Sequence, residues 1–175
     1  MNTGALIRQG DPPHGGRVLG RGPRTIAQAG CMLSCLVMAH RAIHGGMLGV
    51  LEAHARIDIA KAFVGSGIVL DKAATALSMR VVERAAFHAD EAADAIAIGQ
   101  PVIVGVDYKA GASSGFSDAD HFVLGVGSTA LSITIADPAT GRLDSIDFAR
   151  PFYRAKPCRL AEMIILAGVD PVCAS

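Results

Sequence analysis

The chain has 175 residues, 51% of them hydrophobic, enough for one domain with a sizeable core and too apolar to be disordered overall. Sixteen Lys plus Arg balance sixteen Asp plus Glu, and the charges are scattered, which excludes a basic field for nucleic acid and a polybasic membrane anchor. Cysteines at 31, 35, 158 and 173 show neither paired CxxC spacing nor the density of a disulfide scaffold. A bridge between Cys31 and Cys35 within one helix would be poorly placed. No stretch reads as a signal peptide or reaches the length of a membrane span. The expectation is a soluble protein, cytoplasmic or released by a route without a signal peptide.

Residues 1–24 are rich in Gly, Pro and Arg, without a sustained period, and read as an irregular lead-in to a single domain over 25–175. From Cys31 to Ile43 apolar residues fall on every face, the mark of a helix surrounded by protein, and Gly45-Gly46 stops it. His40 and His44 have the i, i+4 spacing of metal ligands, but no third ligand accompanies them, so no metal or cofactor is expected. Leu48 to Ala62 predicts a second helix, with His54 on it as a surface or core residue. Gly65-Ser-Gly67 breaks the chain, and Asp71 is the expected N-cap for Lys72 to Leu77. Ser78 to Glu83 is a short strand. Asp90 or Asp94 begins a helix that runs to Gly99.

After Gln100 the character changes. Pro101 to Asp107 is a β-branched run that reads as a central strand, and Lys109 to Asp120 is a loop long enough for a functional role. His121 to Gly127, Leu131 to Ala136 and Arg142 to Ile146 form an antiparallel meander, with Asp137-Pro-Ala-Thr-Gly141 as a tight turn inside it. A short helix is expected near Asp147 to Arg154, then a buried strand over Met163 to Ala167. Helices first and strands second predict an α+β fold.

The pair Gly30-Cys31 puts a thiol at the first turn of the buried helix. Unpaired N–H groups and the positive dipole end favour a thiolate there. The competing reading is a buried structural cysteine. A cysteine nucleophile needs a base, and the base needs a partner that fixes its ring. His121 begins a strand straight after a flexible loop, and Asp137 ends the next strand. In a hairpin turning through Gly127 to Ala130, those two ends lie side by side. By itself His121 would be a loop-end residue and Asp137 a turn opener. The combination with Cys31 favours catalysis.

The segments Ala27-Gln28-Ala-Gly-Cys31, Gly99-Gln-Pro-Val-Ile-Val104, His121-Phe-Val-Leu-Gly-Val-Gly127 and Ile135-Ala-Asp137-Pro-Ala-Thr-Gly141 resemble the bacteriocin-processing branch of papain-like cysteine peptidases and their stand-alone bacterial relatives. The resemblance covers roughly residues 25–145. It implies a papain-like fold, with Cys31 as nucleophile, His121 as general base and later acid, and Asp137 orienting His121. Many members carry a glutamine six residues before the cysteine for the oxyanion hole, where this chain has Thr25, and a glycine after it, where this chain has Met32. Either the loop bends so that the Gln28 amide enters the site, or the hole uses the Cys31 N–H with another donor.

The reaction so implied is hydrolysis of a peptide amide through a thioester, on a peptide or protein substrate flanked by Tyr108, Phe116 and Asp118. Cleavage of peptidoglycan peptides, amide transfer or deamidation would use the same triad. A catalytically silent peptide-binding domain would leave Cys31 unreactive.

Overall fold

A computed structural model describes residues 6–108, 120–154 and 156–169. Among these residues the elements follow in the order α1 (Ile26–Ala29), α2 (Cys31–His44), α3 (Val50–Ile59), β1 (Phe63–Val64), β2 (Gly67–Ile68), α4 (Leu70–Ala76), β3 (Met79–Ala86), α5 (Ala89–Ala97), β4 (Val102–Asp107), β5 (His121–Ser128), β6 (Ser132–Asp137), β7 (Arg142–Asp147), β8 (Phe152–Tyr153), β9 (Lys156–Pro157) and β10 (Arg159–Gly168). The fold is α+β. Six strands form one antiparallel sheet in the order β3-β10-β4-β5-β6-β7. No helix among the described residues is long and apolar enough to cross a membrane.

Strand alternation splits the apolar side chains between two layers. On one face Ile103, Leu124, Ile164 and Leu166 pack with α2, whose residues from Leu33 to Ala39 are all buried. On the other, Val102, Val104, Val123 and Ile135 pack with Ala92 and Ala95 of α5 and with Tyr153 of β8. Because β4 has protein on both sides, all six of its residues are buried, as its unbroken β-branched run predicts. Gly45, at φ 66°, ends α2 by donating its N–H to the Arg41 carbonyl at 2.9 Å. The lead-in is irregular but not detached, for Ile7 and Leu19 are buried in the first layer.

The structure corrects several local expectations. Residues 147–154 form no helix. The Asp147 carboxylate accepts the N–H groups of Ala149 and Arg150, Pro151 has none to give, and Arg154 at φ 52° turns the β8–β9 hairpin. Asp71 is not a cap: the small β1–β2 hairpin returns the chain through Val69 N–H to the Ala62 carbonyl at 2.8 Å, and α4 starts at Leu70 with Asp71 in its first turn. Likewise His88, rather than Asp90 or Asp94, stands before α5. The helix expected over 48–62 is confined to α3, and the last strand runs longer than expected at both ends.

Candidate active site

Cys31 is the first residue of α2. The preceding single turn, α1, meets it at Gly30, where any Cβ would collide with the Ile26 carbonyl oxygen. Glycine thus permits the tight turn that brings a thiol to a helix start, where the first amides have no helical acceptor. Burial pushes the Cys31 thiol up. The hydrogen bond and charge of His121, with the N–H groups of Phe122 and Met32 beside the sulfur, outweigh that and hold it below its ordinary value.

His121 opens β5, where it pairs with Val106 of β4. On the other side Leu124 pairs with Ala136, so Val123 and Asp137 come opposite each other and His121 is the diagonal neighbour of Asp137 on the same face. The His121 Nε2 lies 2.8 Å from Asp137 Oδ1. The other ring nitrogen, Nδ1, is the one left to face Cys31, whose thiol interacts with the ring. Burial disfavours the charged ring, but its bonds to Asp137 and Cys31 prevail and push its pKa up to about 9. Both shifts favour a thiolate beside an imidazolium.

Asp137 is 2% exposed, and every oxygen has a donor. Oδ1 also accepts the Ala139 N–H at 2.8 Å, and Oδ2 accepts the Thr140 hydroxyl at 2.9 Å. The Asp-Pro turn and the orienting carboxylate are therefore one structure. Although burial opposes the charge, the bond from His121 and the neighbouring donors hold this carboxyl well below the usual carboxylate range.

Tyr153 closes the far side of His121. Its ring stacks on the imidazole at 5.9 Å and 18°, and Tyr108 stacks on Tyr153 at 5.8 Å and 18°. The Tyr153 hydroxyl is buried beside the Asp137 carboxylate without completing a well-formed hydrogen bond, and burial together with that charge drives its pKa up. Tyr108 is likewise pushed up to about 12, chiefly by burial.

No family model, curated protein or solved structure matches this chain.

Cys31, His121 and Asp137 come together at one place, His121 hydrogen-bonded to Asp137 and interacting with the Cys31 thiol. No side-chain hydrogen bond joins Gln28 to these three. It lies exposed on α1, and its Oε1 accepts the Thr25 N–H at 2.9 Å, which leaves the amide nitrogen as its donor group. Phe116 and Asp118 lie outside the described residues, as do Cys173 and most of the loop over 109–120.

Cys35 sits a turn deeper in α2, fully buried. Burial, with the charges of Cys31 and Asp137, raises its thiol well above the ordinary value. Cys158 is raised by burial too, so Cys31 alone among the described cysteines tends toward thiolate. His40 and His44 lie ring to ring at 4.6 Å, and among the described residues no three His, Cys, Asp or Glu side chains gather as a metal site. His54 accepts the Gly20 N–H at 3.1 Å and acts as a satisfied core residue.

Cys31 opens on a cleft of about 180 Å³ walled by Ala29, Met32 and Phe122. A larger hollow of about 400 Å³, between the lead-in and α3, contains none of the three chemical residues. Sequence reasoning missed Tyr153, because its segment read as helix. It also missed the Phe122 and Met32 amides, which no side-chain pattern announces.

Proposed function

We propose that the chain is a cysteine peptidase of papain-like type, hydrolysing a peptide amide through a thioester on Cys31. The observation that carries this reading is the buried hydrogen bond from His121 to Asp137, with the partly exposed Cys31 thiol beside the same imidazole. The order of elements, a buried helix headed by the cysteine and then an antiparallel sheet carrying the histidine and the acid, agrees with the resemblance.

In the reaction, the Cys31 thiolate attacks the scissile carbonyl carbon. The carbonyl oxygen takes negative charge and receives hydrogen bonds from the first-turn amide of Cys31 and from a second donor, either the Gln28 amide nitrogen or another group. Collapse of this intermediate breaks the C–N bond as the His121 imidazolium gives its Nδ1 proton to the departing amine. A water then attacks the thioester. His121, now neutral, takes its proton, and the thiolate leaves with the acid released. Throughout, Asp137 holds Nε2–H, so that Nδ1 stays on the sulfur side.

Incubation with a peptide library, followed by mass-spectrometric sequencing of the products, tests this. Discrete new termini that vanish in Cys31→Ala and in His121→Ala are expected. Products that persist in Cys31→Ala, or their absence with the wild-type chain, would count against it.

A further inference from the structure

The face of the sheet that packs on α2 is apolar until it reaches the cleft. Along β3 it presents Met79 and Val81, and along β10 Leu166 and Ile164. At the next position of each strand the row turns charged. Arg84 stands across from Ile164, and Glu162 lies two residues beyond Ile164 on the same face. Arg84 lines the cleft together with Cys31, Ile68, Leu70 and Ile164, and it is the charged residue in that lining.

The two charges are unequal in setting. Glu162 is 1% exposed, whereas the Arg84 side chain is 47% exposed. Arg84 Nε donates to Glu162 Oε2 at 2.9 Å, while Glu162 Oε1 is buried without a partner. As a stability device this is poor, because a buried carboxylate with one oxygen undonated loses more hydration than a single half-exposed partner returns. As a positioning device it is effective. Bonding through Nε pins the guanidinium plane and leaves its Nη edge for a second planar anion, the geometry that suits a carboxylate.

We propose that the cleft beside Cys31 selects a substrate carboxylate lying near the scissile amide, held by the outward guanidinium edge of Arg84. The inference rests on the reading of Cys31 as nucleophile. Two sources supply the same chemistry, an Asp or Glu side chain and the free carboxylate at the end of a peptide. The apolar walls formed by Ile68, Leu70 and Ile164 suit the aliphatic part of either.

Tripeptide chloromethyl ketones, whose chloride is displaced by the Cys31 thiolate, test the first source. The series carries Glu or Gln at each position in turn, and every inactivation rate is divided by the iodoacetamide rate of the same protein. The Glu probe should react about 10- to 100-fold faster than its Gln partner at one position. That preference should disappear in Arg84→Gln, and in the Arg84→Gln/Glu162→Gln pair, which does not strand a buried carboxylate. For the second source, trialanine with a free carboxylate should protect Cys31 from iodoacetamide better than trialanine amide, again only while Arg84 is present. An Arg84-dependent preference in either arm supports the proposal and identifies the source. Equal rates in every matched pair, or a preference that survives loss of Arg84, overturn it while leaving the nucleophile in place. If iodoacetamide itself alkylates Cys31 no faster than a free thiol, the nucleophile falls and this inference falls with it.

Discussion

Replacing Asp137 with Asn isolates what the buried carboxylate does for His121. Asn keeps the shape and one accepting oxygen, and removes the negative charge that lies 2.8 Å from Nε2. The His121 pKa is pushed from an ordinary 6.5 up to about 9, against the burial that opposes it. At 1.36 kcal/mol per pH unit, the net preference for the imidazolium is about 3.4 kcal/mol, shared between Asp137 and Cys31. A hydrogen bond to a charged partner contributes about 1.5–3 kcal/mol. Loss of the Asp137 charge should therefore lower the His121 midpoint by about 1 to 2 pH units. A carbon-detected NMR titration of the imidazole, assigned by the signal missing in His121→Ala, measures it. A midpoint that stays in place would refute the claim that Asp137 sustains the charged ring.

The same pair has a signature in stability. His121 has a raised pKa, so its contribution is full below about 6.5 and is lost as pH rises through about 9; Asp137 has a lowered one, so its contribution is present above about 3.8 and is lost as pH falls further. The melting-temperature gap between the wild type and Asp137→Asn should thus be widest near pH 5 to 6 and narrow toward pH 10, as calorimetry can record. Gln28→Glu keeps the oxygen that accepts the Thr25 N–H but removes the amide donor; if that donor serves the oxyanion, kcat falls by about 10²-fold with KM little changed. An unaltered kcat would assign the hole to the Cys31 amide and another donor. Gly30→Ala must push its methyl into the Ile26 carbonyl, so a loss of about 1–3 kcal/mol is expected in denaturant unfolding, together with slower alkylation of Cys31.

The parts of this fold that sequence declares are those set by local pattern. The buried helix from Cys31, the β4 run and the β5–β6 hairpin are each specified by period and turn residues within a dozen positions. The proximity of His121 and Asp137 follows from that hairpin alone. Other features depend on partners far along the chain. Strand β10 inserts between β3 and β4, an order that no local signal contains, and this insertion sets Glu162 beside Arg84. The expected strand stops at Glu83, one residue short of Arg84, so Arg84 gave no hint of a cleft. Residues near Tyr153 have helix-compatible spacing, but Asp147, Pro151 and Arg154 impose turn geometry that overrides it. The stack of Tyr153 on His121 then depends on where the hairpin lands.

Everything proposed for the site depends on Cys31 standing as a thiolate beside His121. The most direct test is the rate of Cys31 alkylation by iodoacetamide at about pH 6, where an ordinary thiol is almost wholly protonated. Peptide mass spectrometry would read the rate at each cysteine, with glutathione as the free-thiol reference. Cys31 should react at least about 10-fold faster than glutathione and lose that advantage in His121→Ala. A wild-type Cys31 that reacts no faster than glutathione would contradict a thiolate there.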